Sequence, residues 1–187
     1  AVSVMSRDFS FLIFSAWLVT SLRVLAINAG WGYSWIERWI PGELIPPILT
    51  ASLALHAFLT VSLFGRLYEK GTHKGWLAKV LTFLGNCTLA ICVLAFVLPK
   101  SIAHTSLWAV SAAGMLCLIA QLAYNVRRAG GTSSYLYLSA WLFMLGGLFG
   151  EIGFVSQIIS SYPKLLNAES GTLACGAIMA LALSHRL

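Results

Sequence analysis

Apolar positions in this chain do not recur at intervals; they run on continuously. Six such runs, over residues 9–29, 45–64, 76–98, 105–126, 135–159 and 171–187, are separated by short polar stretches. About 20 helical residues cross ~30 Å of hydrocarbon, so each run has the length of a span. A membrane β-barrel instead needs strands of about ten residues with apolar and polar positions alternating. These runs are too long and too evenly apolar for that. The pattern predicts an all-α integral membrane bundle of six transmembrane helices.

Composition agrees. Of the 187 residues, 59% are hydrophobic and 10% charged, and the mean hydropathy is +0.84. A soluble domain carries about 25% charge. The net charge of +6 resides in short clusters at span ends, without the basic stripe that would point to nucleic acid. Cys87, Cys92, Cys117 and Cys175 all fall inside apolar runs with no C-x-x-C among them. Buried cysteine behaves as a small hydrophobe, so neither a disulfide framework nor a cysteine metal site is expected. The chain begins at Ala1 without a signal-peptide pattern and stops at Leu187, both near a membrane boundary. It reads as one transmembrane domain, residues 1–187, cut from a longer protein.

Polar residues inside the runs change the picture most. The fifth run holds Leu145-Gly146-Gly147-Leu148-Phe149-Gly150-Glu151-Ile152-Gly153. A carboxylate at membrane depth costs about 2.5–3.5 kcal/mol on insertion scales and faces a partner or a cavity. Glycines let a second helix approach closely. Gly146, Gly150 and Gly153, with Gly171 and Gly176 on the last run, are the expected packing positions. Arg23 is the one cation well inside a run.

Lysine and arginine set orientation. Arg7, Arg66, Lys70, Lys74, Lys79, Arg127, Arg128 and Arg186 lie on one side; Arg38, Lys100 and Lys164 lie on the other. Eight against three puts both termini in the cytoplasm, as an even number of spans requires. Arg23 is then 14 residues above the inner end of its run and Glu151 16 above its own. Those heights are ~21 and ~24 Å. An intramembrane Arg23–Glu151 ion pair is one reading. In the other, Arg23 snorkels to the outer interface and Glu151 is protonated or bonded elsewhere.

The longest connection, residues 31–47, carries Trp31, Trp35 and Trp39 at four-residue spacing. Tryptophan favours the membrane interface, so this loop is a surface-lying anchor or a lid over an outward pocket. That pocket would take a small-molecule ligand among Trp31, Trp35, Trp39, His56, Tyr162 and Glu169, and it could equally be a packed, silent surface. His56 is near mid-span, where a polar contact to Asn86 or Ser52 is the plain expectation. Bis-histidine haem would need a second histidine at that depth, and His73, His104 and His185 all lie near span ends. Asn86 and Gln121 look scattered by depth, with no polar row or three-span repeat of a transporter. No Ser–His–acid set converges, and no phosphate-loop signature is present. No cofactor is expected.

Local sequence points further. Leu63-Phe64-Gly65-Arg66-Leu67-Tyr68 follows the second run, the third ends in Pro99, and the fourth ends in Arg127-Arg128-Ala129-Gly130. The fifth carries Leu138-Ser139-Ala140-Trp141-Leu142 and Gly146-Gly147, and the last ends in Ala180-Leu181-Ala182-Leu183-Ser184-His185-Arg186-Leu187. Near the start stand Arg7-Asp8-Phe9, Phe14-Ser15-Ala16-Trp17-Leu18, Ser21-Leu22-Arg23 and Asn28-Ala29-Gly30-Trp31. Over nearly its whole length the chain resembles the membrane region of the seven-transmembrane receptors with diverse intracellular signalling modules, of the bacterial diguanylate-cyclase-linked type. It departs in showing six runs, so that the first helix would be missing or reduced to residues 1–6, and in stopping where an output module would begin.

The resemblance implies a multi-pass sensor of the bacterial inner membrane. Such a domain, not itself an enzyme, passes a signal from the outer side or the membrane to a cytoplasmic module. Full-length relatives carry diguanylate cyclase, histidine kinase or phosphatase outputs. It also implies a homodimer in contact with membrane lipid, and it carries over no catalytic residue. The rival is a small membrane transporter or a membrane-anchor subunit of a redox complex.

Overall fold

The computed structural model describes residues 9–28, 31, 37–69, 75–129, 132–155 and 168–184. Every regular element among them is helical. The long helices are α1 (Phe9–Asn28), α2 (Ile45–Glu69), α3 (Trp76–Leu94), α4 (Lys100–Ala129), α5 (Thr132–Val155) and α6 (Ala168–Ser184). Single 3-10 turns, Glu37–Trp39 and Gly42–Leu44, precede α2. Among the described residues, four stretches are long and apolar enough to cross a membrane: Phe9–Ile27, Gly42–Gly65, Trp76–Leu94 and Lys100–Tyr124. Two shorter apolar helical stretches, Tyr135–Gly147 and Ser170–Ala182, follow.

Helix boundaries follow local chemistry. Pro46 and Pro47 occupy the first turn of α2, where a missing N–H costs nothing. The third run is shorter as a helix than its hydropathy suggests. Pro99 cannot donate and holds the residue before it away from helical backbone, so α3 ends at Leu94. A tight turn then closes through Leu98 N–H to the Leu94 carbonyl at 2.8 Å. The Pro99 carbonyl accepts from the backbone N–H groups of Ile102 and Ala103 at 3.0 and 3.1 Å, starting α4 directly. As a result α4 begins five residues earlier than the fourth apolar run and ends three later.

The chain divides into two compact units, Ala1–Ala123 and Tyr124–Leu187. In the first, α1 packs on α2 and α2 on α3. One stripe of each helix is buried: Ile13, Phe14, Trp17 and Ser21 on α1; Leu81, Gly85, Thr88 and Ile91 on α3; Ala103, Leu107, Leu118, Gln121 and Leu122 on α4. Spacings of three and four residues place each set on a single helical face. Ala54, Ile91 and Leu107 join α2, α3 and α4 in one apolar cluster, flanked by Leu53, Ala57, Cys92 and Val110. The Cys92 thiol bonds the Ala51 carbonyl at 3.4 Å, tying α3 to α2. The opposite faces expose Leu12, Val19, Leu22, Phe83, Val93 and Leu116.

The second unit is the α5–α6 pair. Tyr137, Ala140, Trp141, Met144 and Gly147 are buried on α5, facing the buried Gly171, Cys175, Gly176, Met179 and Ala182 of α6. At Gly171 the two backbones touch. A Cβ there would lie 2.6 Å from the Phe143 carbonyl oxygen and 3.3 Å from the Gly147 Cα. The glycine of α5 in this contact is therefore Gly147 and not Gly146. Gly146 is exposed, and a Cβ added to it would meet no atom within 4 Å. Adjacent helical residues point about 100° apart, so a shift of one residue exchanges packed face for open face. The surroundings of Gly150 and Gly153 lie outside the described residues.

Substituting Gly171→Ala should destabilise the protein by about 1–3 kcal/mol, because the methyl meets backbone that cannot give way. Gly146→Ala should stay within about 0.5 kcal/mol of the parent. Thermal unfolding in detergent micelles measures both.

Candidate functional site

Two polar groupings interrupt the apolar interior of the first unit. One joins α1 to α2. The Trp17 indole N–H donates to the Thr60 hydroxyl at 2.9 Å, and that hydroxyl donates to the His56 carbonyl one turn back at 2.8 Å. The His56 ring lies against the Trp17 ring, with centroids 5.9 Å apart and planes 27° from parallel. Phe14 also stacks on Trp17, at a centroid separation of 6.1 Å. Thr20 donates to the Trp17 carbonyl at 2.9 Å, and its oxygen lies 3.4 Å from His56 Nδ1. The grouping fixes the α1–α2 register through one fully buried tryptophan.

The second grouping is a cavity of about 380 Å³ on the other side of α2. Phe58, Val61, Ser62 and Gly65 of α2 form one wall, Ala78, Leu81, Thr82, Gly85 and Asn86 of α3 another, and Gln121 of α4 closes it. The cavity exists because small residues space the helices. A Cβ on Gly85 would sit 3.7 Å from the Phe58 ring and from Val61, one on Gly114 would sit 3.3 Å from Val61, and one on Gly65 would meet nothing within 4 Å. Thr82 spends its proton on the Ala78 carbonyl at 2.9 Å. Gln121 is only 6% exposed, yet its Oε1 accepts no hydrogen bond. An unpaired buried acceptor costs about 1–3 kcal/mol. The described lining residues carry hydroxyls, carboxamides and apolar atoms, and no ionisable group.

The arrangement is a concave space with a few converging polar groups. A family model described as 7TM diverse intracellular signalling matches residues 1–186. The chain belongs to this family. No curated protein and no solved structure matches the chain. As a 7TM diverse intracellular signalling domain it is a multi-pass membrane protein with a signalling role.

The expected site residues fall differently in this 7TM signalling domain. His56 contacts Thr20 and Trp17 of α1; Ser52 bonds the Ile48 carbonyl of its own helix at 2.8 Å, and Asn86 faces the cavity. Trp31 and Trp39 are exposed, at 68% and 83%, with the Arg38 guanidinium 6.0 Å from the Trp39 ring centre. Neither lines the cavity. Trp35 and Tyr162 lie outside the described residues, as do the side chains of Glu169 and Glu151. Arg23 is half-buried on α1.

Sequence reading treated Asn86 and Gln121 as scattered by depth; the structure puts both on one cavity. Gln121 stands about two turns before the end of α4, while Thr82 and Asn86 stand about two to three turns after the start of α3. Ser62 and Thr82 carried a weaker signal still, since lone hydroxyls inside apolar runs usually bond their own helix.

Replacing Thr60 with Val strands the Trp17 N–H and should cost about 0.6–1.7 kcal/mol, the range for hydrogen bonds between membrane helices. Thr60→Ser should retain most of that. In a Trp17→Phe background the Thr60→Val penalty should shrink, a coupling that a double-mutant cycle on detergent unfolding reads directly.

Proposed function

We propose that this chain is the sensing and transduction domain of a receptor in a bacterial inner membrane. It passes a stimulus from the outer side, or from the membrane itself, to a cytoplasmic output module. The observation that carries this reading is the family match, which runs through both compact units without a break. The two units also pack by different means. The first holds a cavity and cross-helix polar bonds, suited to taking up a ligand. The second brings backbone against backbone at Gly171, a smooth contact suited to sliding. In this proposal a stimulus shifts the first unit between two packings, and α6 carries the motion to the output. The output acts as a homodimer.

Six spans with both termini in the cytoplasm complete the topology, on the distribution of lysine and arginine. In this proposal Arg23 and Glu151, at similar heights on their runs, are the candidate intramembrane ion pair.

Three measurements test the reading. An impermeant maleimide on intact cells should label a cysteine placed at Gly42 and spare one placed at Ala129; the reverse pattern would invert the topology. Arg23→Gln and Glu151→Gln should each destabilise the protein, and the double substitution should cost clearly less than the two together. If the costs simply add, the pair does not exist. In the full-length receptor, Gly171→Ala should change the activity of the output module while membrane insertion stays normal. An unchanged output, or solute uptake by liposomes holding the protein, would favour a transporter instead.

A further inference from the structure

We propose that two copies of this chain associate through the exposed face of α3, with Asn86 of one copy paired to Asn86 of the other. Asn86 is the eleventh of the 19 residues of α3. It therefore stands about 15 Å along a helix that crosses ~30 Å of hydrocarbon, near mid-depth. It is also exposed. The exposed hydroxyls of Ser15 and Thr82 are satisfied on their own helices, by the Phe11 and Ala78 carbonyls. The Asn86 carboxamide makes no hydrogen bond to any described residue. Lipid tails offer it none, so a bare carboxamide at this depth favours association with a group that can bond it.

The surrounding face has the pattern of a helix–helix seam. Phe83, Asn86, Ala90 and Val93 are all exposed, and they follow one another at three, four and three residues. That is the 3.5-residue repeat by which two helices keep one stripe in contact as they wind left-handedly. Ala90 is small and lets a second backbone come near. Lys79, one turn before Phe83, is exposed as well and ends the apolar part of the stripe. A single carboxamide in an otherwise apolar seam sets both the register and the number of helices that meet.

Chemistry selects a second copy as the occupant. A carboxamide carries both donors and an acceptor, so it is complementary to itself. Two copies inserted in the same orientation are related by an axis along the membrane normal. Their α3 helices then run parallel and bring the two Asn86 side chains together at one depth, each amide N–H donating to the other's oxygen. No other exposed carboxamide stands among the described residues. The remaining helices present Val19 on α1, Leu116 on α4, Leu142 and Phe143 on α5, and Leu173 and Leu181 on α6. The inference gives a face to the homodimer of the reading above and rests on that reading only for its consequence, because association is measured separately from output.

The test is the dimer dissociation constant of the full-length protein in lipid vesicles, read by single-molecule photobleaching over a range of protein-to-lipid ratios. Asn86→Leu should raise that constant about tenfold or more, as expected for losing two reciprocal hydrogen bonds between membrane helices. Asn86→Gln should keep much of the association. Ala90→Ile, which adds bulk to the seam with Asn86 intact, should weaken it as well, and Leu116→Ile on α4 should not. A dimer indifferent to both Asn86→Leu and Ala90→Ile overturns the proposal and leaves the homodimer to another face. A monomer at every ratio overturns it too and leaves Asn86 to water in the cavity that it edges. If Asn86→Leu instead lowers the melting temperature of the monomer in detergent and spares association, the face belongs to another part of the same chain and the proposal fails. Association lost in both variants with output unchanged upholds the face and counts against the signalling reading instead.

Discussion

A hydrocarbon solvent offers no hydrogen bonds, and this single constraint organises the molecule. The hydroxyls along the spans meet it locally. Ser15, Ser21, Thr50, Ser52, Thr60, Thr82 and Thr88 each donate to a carbonyl three or four residues earlier on their own helix. Groups too large or wrongly placed for that must reach another helix, and in doing so they set the register. The Trp17 indole crosses to Thr60, and the Cys92 thiol crosses to the Ala51 carbonyl. Gln121 does neither through its Oε1. It is not alone in this: His104 Nδ1 is likewise buried without a hydrogen-bond partner.

The same constraint explains why two kinds of packing coexist. With lipid outside, burying a leucine stabilises little, so helices associate through close backbone approach and polar bonds. The pair α5–α6 uses the first means, at Gly147 and Gly171. Helices α1 to α3 use the second, at Trp17–Thr60 and at Cys92–Ala51. A unit held by directional bonds has discrete arrangements. A contact between smooth glycine faces resists small sliding motions weakly.

Much of this was legible in the residues. Continuous apolar runs announced the helices because spanning a bilayer demands length and internal hydrogen bonding, both visible in one dimension. The small residues at 171 and 176 announced a close approach. Yet the choice between Gly146 and Gly147 was not legible, since both are glycine and only the rotation of α5 against α6 separates them. The outward tryptophans drew attention as a pocket because aromatic rings line many binding sites, but Trp31 and Trp39 stand exposed. The cavity lies among residues that are individually ordinary: one serine, one threonine, one asparagine and one glutamine on three helices.

What the sequence determined by itself is the class of solvent, the helices and the family, each set by the chain's length, hydropathy and local motifs. The tertiary structure decided which polar groups meet. It set Gln121 of α4 on one cavity with Thr82 and Asn86 of α3, and it turned His56 toward α1 and away from them. The physical reason is that a uniformly apolar helix shows almost no preferred face to a one-dimensional reading. In such a helix only the close approach of its neighbours selects the side that is buried, and with it the side on which a site forms.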